Sequence, residues 1–210
     1  MPTRDVEILF DGPEGGEVIV LAPGAGAGMR HVFMASMAAR LAEGGLRVAR
    51  FEFAYMQRAA EASARIGRPD APAVLRVRWL EVIARLGGGR RLVIGGKSMG
   101  GRIASMVADE VEARGLVCLG YPFHAAGRPE RTRTAHLEAL RTPTLIVQGT
   151  RDALGSRPDV EGYTLPPSIR LHWLEDGDHS FVPRKASGYT SAEHLDAAAA
   201  TVIDFVRGLP

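Results

Sequence analysis

Leu92-Val93-Ile94-Gly95-Gly96-Lys97-Ser98-Met99-Gly100-Gly101-Arg102 is the stretch whose reading decides the fold. An apolar run rich in β-branched residues enters a pair of glycines, a serine follows, and a helix-forming segment continues from Met99 to Ala113. Residues 96–100 fit G-x-S-x-G, the pattern of a sharp strand-to-helix turn. A serine at the apex of such a turn is held in a strained backbone conformation. The positions two before and two after it must be small, because a Cβ there would strike the neighbouring chain. Gly96 and Gly100 satisfy that demand, and Ser98 then opens a helix whose free N–H groups and dipole favour a developing negative charge.

Outward from this turn, short β-rich runs alternate with longer helical ones. Val6 to Phe10, Val18 to Leu21, Leu46 to Phe53, Arg91 to Ile94, Leu116 to Gly120, Thr144 to Gln148 and Ile169 to Leu174 read as strands. Helices are expected at about 30–43, 70–86, 99–113, 130–140 and 190–207. Such alternation predicts a parallel sheet. Leu92-Val93-Ile94 and Leu145-Ile146-Val147 are apolar on both pleat faces, as strands covered by helices on both sides must be. Leu195, Ala198, Ala199, Val202 and Val206 recur at helical spacing, so the last helix packs one face on the sheet. Gln57 to Pro72, with Gly67 and Pro69, reads as a loop. No repeat or linker divides the chain, so residues 1–210 are expected to form one domain.

Apolar residues make up 46% of the 210 and charged residues 24%, the balance of an ordinary folded protein. Lysine plus arginine (26) nearly equals aspartate plus glutamate (24), and the densest basic stretch, Arg128 to Arg141, is interrupted by Glu130 and Glu138. A solvated face is the reading, and no nucleic-acid partner is expected. Cys118 is the single cysteine and sits in an apolar strand run, so redox chemistry is not expected. Met1 to Glu7 lacks the pattern of a signal peptide, and no apolar run approaches the ~20 residues of a membrane helix. A cytoplasmic protein with no membrane partner is expected. Two nucleotide motifs fail on inspection. A P-loop ending at Gly96-Lys97-Ser98 needs glycine where Arg91 stands, and a dinucleotide fingerprint beginning at Gly24 needs glycine where Met29 stands. Nothing calls for a metal or cofactor.

A serine is a weak nucleophile until a base takes its proton, and that base needs a fixed tautomer. Thr144 to Gln148 runs into Gly149-Thr150-Arg151-Asp152, which places Asp152 just beyond a strand's carboxyl end, where such sheets collect function. Ile169 to Leu174 leads into Glu175-Asp176-Gly177-Asp178-His179, a turn-rich loop carrying His179. Ser98, Asp152 and His179 thus follow the order serine, acid, histidine. Among the competing histidines, His172 falls in a strand, His136 and His194 fall on helices, and His31 and His124 precede Asp152. Asp176 and Asp178 are alternative acids, although as neighbours of His179 they are expected to shape its turn. Donors for an oxyanion are expected from the Met99 N–H and from the glycine-dense loop after Leu21, with the Ala25 N–H as candidate; the alternative for that loop is a turn with no ligand role. Met29, His31, Tyr55, Tyr121, Phe123 and His124 stand on loops at the same end of the sheet and are candidate substrate contacts, with core packing the alternative for each.

Six strings carry a resemblance across nearly the whole chain: Gly24-Ala25-Gly26-Ala27-Gly28-Met29, Arg50-Phe51-Glu52-Phe53-Ala54-Tyr55-Met56, Gly95 to Arg102, Gly120-Tyr121-Pro122-Phe123-His124, Gln148-Gly149-Thr150-Arg151-Asp152 and Asp178-His179-Ser180-Phe181. The chain resembles a compact family of α/β-hydrolases related to dienelactone hydrolases and to a subunit of a chromatin-acetylation complex. The resemblance implies a three-layer α/β-hydrolase fold, with a mostly parallel central sheet of about seven strands and helices on both faces. Only Pro122 to Pro143, with one short helix, is available for an insertion, so no large cap is expected. It implies a serine hydrolase acting on a small or medium acyl substrate through an acyl-Ser98 intermediate, most simply an ester, with amide, thioester and lactone bonds left open. For the chromatin-associated relatives it implies a non-catalytic scaffold, and that alternative stands beside the enzyme. Two positions depart from the family pattern: Pro23 stands where histidine usually precedes the glycines, and Ala54 where proline is usual. Proline fixes φ and lacks an N–H, so Pro23 bears on the oxyanion loop.

Overall fold

A computed structural model describes residues 6–210. The reading of Met1 to Glu7 therefore lies largely outside the described residues. In chain order the first half comprises β1 (Ile8–Asp11), β2 (Val18–Ala22), α1 (Val32–Glu43), β3 (Arg47–Phe51), α2 (Ala54–Glu61), α3 (Pro72–Arg85), β4 (Leu92–Lys97) and α4 (Met99–Ser105). The second half comprises β5 (Gly115–Leu119), β6 (His124–Ala125), β7 (Arg128–Thr132), β8 (Thr144–Gly149), α5 (Arg157–Glu161), β9 (Ile169–Leu174) and α6 (Ser191–Arg207).

Seven strands form one sheet in the order β1-β3-β2-β4-β5-β8-β9. β1 runs antiparallel to β3 at one edge and every other pairing is parallel. All residues of β4 and β8 are buried, which is why their sequences carry no polar face. Alternate residues serve two cores. Leu92 and Ile94 of β4 pack with Trp79 and Ile103 under α3 and α4, whereas Val93 packs with Met37 and Val202 under α1 and α6. The stripe expected on the last helix is the one that α6 buries, with Ala198, Ala199, Val202 and Val206 inside, and Thr190 and Glu193 close a capping box at its start. No helix among the described residues is long and apolar enough to cross a membrane.

Several element boundaries differ from the sequence reading, each for a local reason. The helix expected at 130–140 is absent. Gly127, at φ 64°, turns the chain so that β7 pairs antiparallel with β6, and its five residues are all exposed, leaving no face for a helix to bury. Leu137 and Leu140 reach the core from successive i→i−3 turns instead. The helix from Met99 stops at Ser105, whose hydroxyl donates to the Arg102 carbonyl at 2.7 Å and competes with the helical ladder. Part of the expected loop after Gln57 is α2, anchored by buried Tyr55 and Met56 although no side chain caps it. α5 was unforeseen even though Ser156 and Asp159 spell a capping box.

At the carboxyl edge of the sheet, β4 passes into α4 through Ser98, with φ 49° and ψ −115°, a strained conformation for a residue bearing a Cβ. β2 lies beside it in register, with Ala22 opposite Gly96. A Cβ on Gly96 would stand 2.1 Å from the Ala22 carbonyl oxygen, and one on Gly100 would stand 2.3 Å from the same atom. That atom is backbone and cannot swing aside. Gly100→Ala is expected to destabilise the protein by on the order of 3 kcal/mol, read from urea unfolding midpoints; a loss below about 1 kcal/mol would show that the bend can open.

Candidate active site

The bend presents the Ser98 hydroxyl to an imidazole that arrives from the loop after β9. Ser98 Oγ lies 2.9 Å from His179 Nε2, and His179 Nδ1 lies 2.7 Å from Asp152 Oδ2. A carboxylate only accepts, so Nδ1 carries the proton and Nε2 is left to accept from the serine. The Ser98 N–H donates to the Leu119 carbonyl at 3.0 Å, fixing the bend to β5. The three residues singled out by chain order are therefore brought together in one hydrogen-bonded line.

Asp152 is fully buried, and its second-tier partners explain how a carboxylate is kept there. Gln148 Nε2 donates to its Oδ2 at 2.9 Å and the Leu154 N–H donates to Oδ1 at 2.8 Å. The same Gln148 amide donates to the Tyr121 and Gly155 carbonyls, and its Oε1 accepts from the Tyr121 N–H at 2.7 Å. One buried glutamine thus ties the acid to the loops after β5 and β8. The other two acids of the histidine loop do what their neighbourhood implies. Asp178 Oδ1 accepts from the N–H groups of Ser180 and Val182, closing the turn that carries His179. Asp176 is gripped by Arg184 and Arg151, and the Arg184 contact above all holds its carboxyl down at about 2.

Lys97 supplies a further brace. Its side chain is buried in the elbow, and Nζ donates to the His179 carbonyl at 2.7 Å while lying 5.4 Å from the centre of the Phe33 ring. Burial pushes its ammonium down to about 8, against the opposing attraction of Asp152 and Asp178. The sequence reading gives Lys97, the variable position of the serine turn, and Gln148, within its string, no role of their own. The signal available for both was a long polar side chain at the end of a strand otherwise buried on both faces.

The loop between β2 and α1 stands over the bend. The Tyr55 hydroxyl donates to the Ala25 carbonyl at 2.7 Å, Glu52 Oε1 accepts from the Met29 N–H at 2.8 Å, and Arg50 donates to the Met29 carbonyl at 2.7 Å. Tyr55 therefore holds the Ala25 carbonyl, and Arg50 and Glu52 hold Met29 farther along the same loop. Two cavities meet at Ser98. One, of about 310 Å³, is lined by His179, His31, Phe33, Met34 and Lys97. The other, of about 440 Å³, is lined by Met99, Arg68, Arg102, Arg133 and Leu75. Ala25 lines both. Of the six candidate substrate contacts, His31 lines the first cavity and also caps α1 by accepting from the Phe33 N–H. Met29, Tyr55, Tyr121, Phe123 and His124 line neither. Tyr121 and Phe123 are fully buried, their rings 4.8 Å apart, and His124 is buried with Nδ1 donating to the Ala125 carbonyl. Large side chains on these loops fold back into the core, the alternative already open for them.

A serine bend at the edge of this sheet, with a histidine and an acid behind it, is an arrangement of α/β-hydrolases. The chain belongs to that family: its residues 15–207 match the model described as an alpha/beta hydrolase domain. A segment of 101 residues is 27% identical to carboxymethylenebutenolidase of Pseudomonas putida, covering 46% of this chain and 40% of that one. The whole fold is similar to dienelactone hydrolase from Anabaena variabilis, with a TM-score of 0.71 and 21% identity over 97% of this chain and 92% of that one. It is also similar to XC6422 from Xanthomonas campestris, a serine hydrolase described as without a lid, with a TM-score of 0.67 and 21% identity over 98% and 91%.

Two outcomes test the bracing residues. Gln148→Leu is expected to cost about 3 kcal/mol, because the Tyr121 N–H and two carbonyls lose a partner in the interior; a cost under about 1 kcal/mol in denaturant unfolding would contradict the assignment. For Lys97, the unfolded chain keeps its proton to the ordinary 10.5 whereas the fold releases it near 8. Between those values the unfolded state binds more protons, so folding stability rises with pH relative to a Lys97→Met variant, and below them the difference is flat. Unfolding free energies from about pH 6 to about pH 10 should show the divergence; parallel curves throughout would refute it.

Proposed function

We propose that the protein is a serine hydrolase of one domain that cleaves a small or medium carboxylic ester, or a related acyl bond, through an acyl-Ser98 intermediate. The observation that carries the reading is the line of contacts Ser98–His179–Asp152, at 2.9 Å and 2.7 Å, on a strained bend. Ser98 Oγ attacks the substrate carbonyl carbon while His179 Nε2 takes its proton, and the carbonyl π electrons move onto oxygen. The N–H groups of Ala25 and Met99 receive that oxyanion. Asp152 orients the imidazole and stabilises the imidazolium without taking the proton itself. Collapse of the tetrahedral species breaks the bond to the leaving oxygen, which departs as an alcohol with the proton from His179. Water then repeats the sequence in reverse roles, freeing the acid and restoring Ser98. Pro23 lies just before the donor loop, and since Ala25 provides the N–H, its missing donor is not one the reaction uses.

A fluorophosphonate probe tests this directly. Labelling is expected in the folded wild type and in Ser36→Ala and is lost in Ser98→Ala, with turnover of a 4-nitrophenyl ester falling on the order of 10⁴-fold to 10⁶-fold in the last. Folded wild type that takes no label and cleaves no ester would leave the scaffold reading in place.

A further inference from the structure

The 440 Å³ cavity is richer in positive charge than the reaction above requires. Arg68, Arg102 and Arg133 line it, and the acid on its wall, Asp70, is engaged by Arg58 at 2.8 Å and 3.0 Å. Neither Arg102 nor Arg133 has a carboxylate partner among the described residues. Nε of Arg102 is buried without any hydrogen-bond partner. Cations lining a cavity without a counter-ion are costly to desolvate, and their position there points to an anionic ligand that offsets them.

The two guanidinium groups stand on braced backbone. Arg102 is one helical turn beyond the serine, its N–H donating to the Ser98 carbonyl at 3.0 Å. Arg133 is fixed by its own N–H to the Phe123 carbonyl at 2.7 Å and by the Tyr121 hydroxyl to its carbonyl at 2.9 Å. His136 joins the same cluster, 2.8 Å from Ser105 Oγ. Burial first, and then the charge of Arg102, pushes His136 down to about 4 and lowers Arg133 as well. The cluster is thus held together against its own repulsion, with no carboxylate paired to Arg102 or Arg133 among the described residues.

Which part of a substrate meets these arginines follows from the proton path, and so rests on the hydrolase reading. His179 returns its proton to the leaving oxygen, so the leaving group occupies the cavity that His179 lines, and the acyl chain extends into the other. We propose that the acyl group carries a carboxylate at its far end, which Arg102 and Arg133 bind as a pair of guanidinium donors. A carboxylate suits them because planar guanidinium groups match its two oxygens and stay charged at every working pH.

The test compares the mono-4-nitrophenyl ester of adipic acid with 4-nitrophenyl hexanoate, which has the same chain length and no charge. Each takes up one water and releases 4-nitrophenol with adipic or hexanoic acid. The wild type is expected to favour the anionic ester by about tenfold or more in kcat/KM, and Arg102→Met and Arg133→Met each to reduce that ratio by about tenfold. Adipate is expected to inhibit hexanoate-ester hydrolysis competitively where hexane-1,6-diol does not, a wild-type measurement that stands even if a variant fails to fold. Hexanoate cleaved as well as or better than the adipate ester, with no inhibition by adipate, would overturn the anionic pocket alone. A wild type inert to both esters would overturn the hydrolase reading and this one with it.

Discussion

The close approach of β2 to the bend after β4 is the constraint on which the rest of the site depends. Because the Ala22 carbonyl occupies the space where side chains on residues 96 and 100 would begin, the chain can turn there only through glycine. That turn forces Ser98 into a conformation it would not otherwise choose. The sheet and its two cores hold the strain in place, since β4 is hydrogen-bonded on both edges and buried on both faces. Stability drawn from the interior thereby fixes one half-buried serine hydroxyl whose position is set by backbone.

The second constraint is electrostatic. A buried carboxylate and a buried ammonium bracket the histidine: Asp152 at its Nδ1 and Lys97 at its carbonyl. Each is expensive alone in so dry a place, and each is accommodated by several contacts. Gln148 and the Leu154 N–H share the burden of Asp152, while Lys97 draws on a carbonyl and an aromatic face. The histidine loop is fixed in turn by Asp178 and Asp176, so a loop residue acquires the rigidity of a sheet position.

Much of this was legible from residue types. Strands buried on both faces announce themselves as unbroken apolar runs, and a serine between glycines at the end of one is hard to read otherwise. Chain order then selected Asp152 and His179 from many acids and several histidines. What the sequence concealed were features decided by tertiary contact. The segment from Arg128 to Leu140 has helix-compatible residues, but its turn at Gly127 and its lack of an apolar face make it a hairpin arm followed by turns. Tyr121, Phe123 and Met29 are apolar residues on loops at the active end, and nothing in their identity says whether they face a substrate or the interior; packing decided for the interior. Gln148 and Lys97 are ordinary polar residues until their burial is seen.

The central claim is that the bend presents Ser98 Oγ to His179 on one side and to two backbone donors on the other. A crystal structure of the protein reacted with a small phosphonate ester tests it most directly. The account requires a covalent bond from Ser98 Oγ to phosphorus, with the phosphoryl oxygen about 2.7 to 3.1 Å from the nitrogens of both Ala25 and Met99. An adduct on another residue, or a phosphoryl oxygen turned away from both nitrogens, would contradict it.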